Sequence, residues 1–528
     1  MSDAKRTCLT IRTKAGHDKN VNGRPIRLPN EILENIAFYL EPEDLVSLRL
    51  TCRKVNSALW YFFSKNYFTK RQFMVSKQSV DTLLDISHHA ALCSKLRHLV
   101  LVPDVLSVYY PLDYRLSDLR PTPQRMLSLV GEPKTKEQLK ALVGAYRSFH
   151  TLMGYHREAV LSTPSNEPEH CRFRYELAEA IRNLPQLETV DIRDFPANPH
   201  ADSNRTKPLT SSGAKTLEKM TGERHVITTE PEFISHLFRM VMAACMDRPA
   251  HPDQQPIRHL DVHIRNRKSD FFPSTLGYPM SRPNECSFFM KSLRRLRLTI
   301  TPRNSPGEKP CLAHFISLAP NLEWLRLNSQ WRAGTDWGRS VFENTLNWIH
   351  HDQSQVDPQG IWFVDSEHNP TVHSPGNAVV LPKLERLELG WAVLEWRVLA
   401  DALTRLRPTL KAVSFRHIVL IELKRDEPST NPVPGAGDPA DWVDPWSKLF
   451  ESLRGSKVEE YRLSNLGAAG GGNHVKVRFA GHGWARRRES AGPLFKIYRD
   501  PARDVLIDQI LGDMERMPTD GFWNGSSW

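Results

Sequence analysis

The sequence predicts a short three-helix module followed by an α/β solenoid, an irregular array with parallel strands on one side and helices on the outside. Three observations predict it. Apolar residues at helical spacing crowd between Leu28 and Leu59, and one L-x-x-L-x-L unit recurs eight times further on. The strands of that unit are apolar only at alternate positions, so one face of the sheet is wet. A conventional doubly wound α/β domain, buried on both faces, would instead show near-continuous apolar runs.

The first helix is LPNEILENIAFYL, with Ile32, Leu33, Ile36 and Leu40 on one stripe. Pro29 sits near its start, where a missing N–H costs nothing. Glu41-Pro42 ends it, because proline disfavours helical geometry in the residue before it. Glu43-Asp44 then puts acid at the next N-terminus, where the helix dipole favours it. Leu45, Leu48 and Leu50 mark the second helix. Cys52, Val55, Leu59 and Phe62 mark the third. Three short helices cannot bury this much apolar surface on themselves, so part of it faces a partner or the rest of the chain.

The run L-P-x-E-[IL]-L-x-x-I-x-x-[YF]-L, followed by D-L-x-x-L-R-L-T-C-[RK]-x-[VF]-N, resembles an F-box over Leu28 to about Trp60. The stretch after it is similar to the segment C-terminal to the F-box in filamentous-fungal members of that family, where a helix docks against the first strand of a leucine-rich array.

The repeat unit reads LRHLVL from Leu96, LETVDI from Leu187, IRHLDV from Ile257, LRRLRL from Leu293, LEWLRL from Leu322, LERLEL from Leu384, LKAVSF from Leu410 and VEEYRL from Val458. Starts at 293 and 322 lie 29 apart and those at 384 and 410 lie 26 apart, each the length of one leucine-rich repeat. Other gaps run from 36 to 91 and contain polar, proline-bearing insertions. Helices are predicted over 79–91, 136–159, 174–183, 231–246, 312–319, 341–350, 396–407 and 445–453. Several end in a proline turn (Leu184-Pro185, Ala319-Pro320, Leu381-Pro382) that stops the helix and admits the next strand. The repeats lack a consistent asparagine after the third leucine, so the array is degenerate. The expected organisation is a basic flexible tail at 1–27, the F-box at 28–66, the repeat region at 67–466 and a C-terminal tail or cap at 467–528. In that last part GAAGGGN reads as a flexible hinge, HVKVRFAGHGW as a strand and DPARDVLIDQILGDMERM as an amphipathic helix.

With the leucines inward, positions 3, 5 and 7 of each unit point to the open side. These are Thr189, Asp191, Arg193; His259, Asp261, His263; Arg295, Arg297, Thr299; Trp324, Arg326, Asn328; Arg386, Glu388; Ser414, Arg416; and Glu460, Arg462. Arg295, Arg297, Trp324, Arg326, Arg386, Arg416 and Arg462 form the candidate substrate stripe. Guanidinium pairs bidentately with carboxylate or phosphate, so the stripe suits an acidic or phosphorylated protein substrate. The alternative is a solvated face paired locally with Glu388 and Glu460. Nine of the thirteen tryptophans fall between Trp324 and Trp446, as core, loop or rim residues.

Composition narrows the class. The chain has 528 residues, a net charge of +11 and seven cysteines (Cys8, Cys52, Cys93, Cys171, Cys245, Cys286, Cys311) with no CxxC pair. That excludes a disulfide scaffold and suits a reducing compartment. No run approaches the ~18 apolar residues that span a bilayer, so a cytoplasmic or nuclear location is expected. Residues 1–27 hold seven Lys or Arg against two Asp. No P-loop, HExxH, Gly-x-Ser-x-Gly or catalytic cysteine signature occurs; no metal site, cofactor or enzymatic activity is expected. His88-His89 and His350-His351 are adjacent and cannot face one metal from one side of a helix. Arg486-Arg487-Arg488 reads as a surface patch.

The F-box resemblance implies an adaptor without catalysis. The F-box would dock on a Skp-type adaptor and through it a cullin, forming a Skp-cullin-F-box ubiquitin ligase, and the repeats would hold the substrate. Its docking residues would be Leu28, Pro29, Ile32, Leu33, Ile36, Leu40, Leu45, Leu48, Leu50, Cys52, Val55 and Leu59. Some of these must instead hold the helices together. A regulatory F-box scaffold that delivers no substrate, and a basic nucleic-acid-binding protein, are the alternatives.

Overall fold

The computed structural model describes residues 28–103, 171–195, 197, 233–248, 254–265, 270–302, 309–330, 339–350, 379–422, 445–454, 456–464, 466–470, 473–479, 495–498 and 514–518. The chain divides into two units, residues 1–67 and 68–528. Among the described residues no helix is long and apolar enough to cross a membrane. The basic tail at 1–27, the helix predicted over 136–159 and the Arg486-Arg487-Arg488 patch lie outside them.

In the first unit α1 (Asn30–Tyr39), α2 (Pro42–Thr51) and α3 (Arg53–Phe68) follow the predicted punctuation. The Pro29 carbonyl accepts from the N–H groups of Ile32 and Leu33, both at 3.1 Å, and so opens α1. Leu40 and Glu41 turn extended, and Pro42 sits at the first helical position of α2. Cys52 interrupts the next helix in extended conformation, and its Sγ accepts from the Val55 N–H at 3.5 Å. Leu33, Ala37, Leu45, Val55 and Leu59 form the core. Arg49 joins α2 to α3: its Nε donates to Asn56 Oδ1 at 3.1 Å, and its guanidinium lies 3.5 Å from the Phe63 ring centre.

The second unit is a parallel ladder in chain order. Its strands are β1 (Lys70–Met74), β2 (His98–Val102), β3 (Thr189–Arg193), β4 (His259–His263), β5 (Arg295–Ile300) and β6 (Trp324–Ser329). A separate two-stranded sheet pairs β7 (Ile349–His350) with β8 (Val379–Val380). The main ladder resumes with β9 (Arg386–Glu395) and β10 (Ala412–Ile421), and β11 (Glu460–Ser464) and β12 (Leu466–Gly470) both pair with β10. Each of the eight strand-forming repeat units contributes the strand expected of it. β1 and β12 were not foreseen.

The same hydrogen bond recurs at every step. One carbonyl just before a strand accepts two consecutive N–H groups from the next: Arg97 from Glu188 and Thr189, Glu188 from Arg258 and His259, Arg294 from Glu323 and Trp324, Glu385 from Lys411 and Ala412. The register therefore never slips. Leu99, Val190, Leu260, Leu296, Leu325, Leu387, Val413 and Tyr461 stand in one row, and Leu101, Ile192, Val262, Leu298, Leu327, Leu389, Phe415 and Leu463 in another. All of them are buried.

Helices cover those rows. They span Lys77–His88, Arg172–Arg182, Phe233–Met246, Pro283–Ser292, Lys309–Ser317, Arg339–Trp348, Trp396–Leu406 and Pro445–Ser452. Successive helices pack side by side, and a 3-10 helix at Pro273–Ser281 fills in between Phe233–Met246 and Lys309–Ser317. Phe238 packs edge-on against Phe271 and Phe315, with centroids 4.9 and 6.0 Å apart. The proline turns recur in one form: Leu187 N–H bonds the Leu184 carbonyl at 3.2 Å, Leu322 that of Ala319 at 3.2 Å, and Leu384 that of Leu381 at 3.3 Å. Each closes a β-turn whose second residue is proline, which presets the φ that position needs.

The last strands reverse direction. β13 (Asn473–Phe479) pairs antiparallel with β12, β14 (Phe495–Tyr498) with β11, and β15 (Met514–Pro518) with β13. Two expectations are corrected here. Of the expected GAAGGGN hinge, residues 467–470 belong to the strand Leu466–Gly470, whose Gly470 pairs with Asn473, and residues 471–472 lie outside the described residues. Residues 514–517 of the expected amphipathic helix belong to β15. Backbone pairing with a neighbouring strand overrides the local helical pattern there.

Leu327 lies at 0 % exposure in the middle of the ladder. Leu327→Ala should lower the unfolding free energy by about 2–5 kcal/mol with an unchanged m value, read from urea denaturation.

Candidate functional site

Two surfaces qualify, one in each unit. On α1 the apolar residues form two stripes. Leu33, Ala37 and Leu40 turn into the unit's core, while Leu28, Ile32, Ile36 and Tyr39 stand exposed. Leu50 at the end of α2 is 81 % exposed, and Phe38, Val46 and Tyr61 add to the open apolar surface. The predicted docking residues thus separate. Leu28, Pro29, Ile32, Ile36, Leu50 and Cys52 are exposed, and Leu40 and Leu48 are half-buried. Leu33, Leu45, Val55 and Leu59 do not belong with them. They are buried in the unit's own core, because three helices of this length need a shared interior before they can present anything. Phe38, Tyr39, Val46 and Tyr61 were missed, although Tyr39, three residues after Ile36, falls on the outer stripe.

The second surface is the open face of the ladder, where the register stacks polar residues as strictly as it stacks leucines. Lys70, His98, Thr189, His259, Arg295, Trp324, Arg386, Ala412 and Glu460 make the first row. Gln72, Val100, Asp191, Asp261, Arg297, Arg326, Glu388, Ser414 and Arg462 make the second. A third row joins Arg193 to His263, and Thr299 to Asn328, Gly390 and Arg416.

The predicted arginine stripe is largely neutralised from within. Asp261, wholly buried, accepts from Arg295 (Nη2 at 3.0 Å) and from Arg297 (Nε at 2.9 Å). Asp191, also wholly buried, pairs with Arg193 and with His98 at 3.2 Å. Glu460 takes Arg386 at 2.8 Å and Arg462 at 2.7 Å, and Arg326 lies 3.7 Å from Glu388. Asp191 and Asp261 are therefore not exposed positions, as alternation alone suggested: the arginines beside them roof them over. Trp324 binds the cations together, with Arg386, Arg297 and Arg295 at 4.8, 5.3 and 5.6 Å from its ring centre. Burial works to raise the Asp261 carboxyl, but the bond and charge of Arg297 and the charge of Arg295 outweigh it and hold it well below the usual range.

At the C-terminal ends of β9 and β10 the alternation shifts. Buried side chains fall at 387 and 389 and then at 392 and 394 on β9, and at 413 and 415 and then at 418 and 420 on β10. Trp391 and His417 are the extra residues. Both have positive φ, 56° and 53°, and their rings stack 3.7 Å apart at 15°. The double bulge sits beside Gly390, where a Cβ would overlap the Asn328 amide. Bulky residues rarely accept this conformation.

The histidines of the face make stability pH-dependent. Burial, then the charge of Arg295, pushes His259 down to about 4. Burial also brings His263 to about 4 although Asp191 and Asp261 oppose it. A base depressed in the fold binds fewer protons there than in the unfolded chain between the two pKa values. Its contribution is complete above about 6.5 and is lost as pH falls toward 4. The urea midpoint should therefore drop from pH 7 to pH 5, and less steeply in His263→Gln. A midpoint flat across that range would contradict the assignment.

Comparison with known proteins bears on the first surface. A search of curated proteins finds no match to the chain. The F-box-like family model matches residues 26–63, which take in α1, α2 and most of α3. Those residues thus carry an F-box-like domain, which supports an F-box protein.

Proposed function

We propose that the F-box docks on a Skp-type adaptor, and through it a cullin-based ubiquitin ligase, while the open face of the ladder holds a protein substrate. The chain performs no catalysis. It acts by proximity, raising the effective concentration of a substrate lysine near the charged ubiquitin. The observation that carries the first half is the outward stripe Leu28, Ile32 and Ile36 within the matched F-box residues. Each is 40–45 % exposed, so covering it recovers roughly half of the 1.5–3 kcal/mol that full burial gives, and a partner helix set against the stripe gains from all three. Pro29, Leu50 and Cys52 extend the same surface. Buried Leu33, Leu45, Val55 and Leu59 support it from beneath.

The chain-ordered ladder, its repeated hydrogen bond and its leucine rows support reading the second unit as a degenerate leucine-rich-repeat-like array. Its open face would meet the substrate with Arg295, Arg297, Trp324, Arg326, Arg386, Arg416 and Arg462. A surface already balanced by its own carboxylates favours a substrate with mixed polar and acidic character, recognised through Trp324 and the arginines around it.

Leu28→Ala combined with Pro29→Ala should weaken capture of a Skp-type adaptor at least tenfold and leave the thermal midpoint of the chain nearly unchanged, since both residues are exposed. Undiminished capture would remove Leu28 and Pro29 from the docking surface.

A further inference from the structure

One amine on the open face stands apart from the ion pairs. Lys70 opens β1, half-buried at the head of the first row, and its side chain makes no hydrogen bond or ion pair among the described residues. The register sets it level with His98 on β2. Paired strands lie about 4.8 Å apart, so the two side chains rise from one face as immediate neighbours. His98 is held from its other side. Its Nε2 lies 3.2 Å from Oδ2 of Asp191, which is wholly buried on β3. Burial works to raise the Asp191 carboxyl, but the bond with His98 and the charge of Arg193 outweigh it and keep the group ionised. An ionised carboxylate only accepts, so the imidazole proton sits on Nε2. Nδ1 keeps a bare lone pair, and nothing among the described residues donates to it.

An amine, an unprotonated imidazole nitrogen and a buried carboxylate thus follow one another as nucleophile, base and orienting group. Burial outweighs Asp191 and holds His98 below its ordinary value, so the ring is neutral at pH 7 and free to take a proton. Burial, then the charge of Arg193, brings the Lys70 amine down to about 8; Arg297 adds to this, while Asp191 and Asp261 oppose it. Partly desolvated and without a counter-ion, the amine is neutral far more often at pH 7.5 than an ordinary lysine is.

We propose that Lys70 is a nucleophilic lysine that takes an acyl group from a small thioester, with Nδ1 of His98 receiving its proton. The amine nitrogen attacks the carbonyl carbon. The N–C bond forms as the C–S bond breaks, and the amine proton passes through His98 to the departing thiolate. The products are an amide and a free thiol. Acylation removes the positive charge at the head of the first row. This site depends neither on adaptor docking nor on substrate capture.

The test is incubation of the full chain with S-acetyl-N-acetylcysteamine, with acetylation at each lysine followed by peptide mass spectrometry as a function of pH. At pH 7.5 Lys70 should react at least about tenfold faster than the exposed Lys54 and Lys457. Its rate should level off above about 8, whereas that of an ordinary lysine goes on rising to about 10.4. His98→Gln should slow Lys70 by about tenfold or more and leave Lys54 and Lys457 unchanged. Lys70→Arg should remove the fast site with an unchanged thermal midpoint. Lys70 reacting no faster than Lys54 in the unaltered chain overturns the proposal, whatever the variants do. A Lys70 rate untouched by His98→Gln, in a chain whose thermal midpoint is also unchanged, overturns it as well.

Discussion

Everything in the second unit depends on a register that does not slip. One carbonyl takes two N–H groups from the next repeat at each strand entry, so position n of one strand always meets position n of the next. Repeats whose starts lie from 26 to 91 residues apart keep the same entry bond. A one-residue slip would move a whole row of leucines to the open face, and the buried rows make that prohibitively costly. The apolar core and the polar surface are thus two consequences of one alignment.

The same alignment creates an electrostatic problem. It sets Asp191 directly beside Asp261, both without solvent access. Two adjacent buried carboxylates would be strongly destabilising alone. The arginines around them on this face relieve this by reaching across to them, which is why so many arginines stand there. Much of what reads as a cationic stripe is therefore internal compensation. Arg416 stands apart from this compensation, since no carboxylate shares its row.

How far this was legible in the sequence depended on period. The eight strands, their inward leucines and the three-helix module were readable because alternation of two and spacing of three to four are carried by the residues themselves. β1 escaped because KRQFM has little alternation; its place comes from pairing with β2. β15 escaped because local residues favour a helix while the neighbouring strand imposes extension. On the face, the rows were readable but their charge state was not: that Arg295 and Arg297 converge on Asp261 depends on side chains from different repeats, and sequence spacing says nothing about such reach. The double bulge left a fainter trace, the shift of apolar parity at Gly390-Trp391 and Arg416-His417.

The F-box unit meets the opposite constraint. It is too small to hide its apolar residues, and α1 carries two stripes offset by a single residue: Leu33 and Ala37 inward, Ile32 and Ile36 outward. Stability and recognition are thus interleaved on one helix of ten residues. Burying the outer stripe internally would require rotating α1 and exposing the inner one, which gains nothing. The outer residues can be covered only from outside the unit's own three-helix core. An exposed apolar surface of this extent is a standing cost in water, which a docked partner would remove. The need to bury Leu28, Ile32, Ile36 and Leu50, more than any one polar contact, is what would hold an adaptor in place.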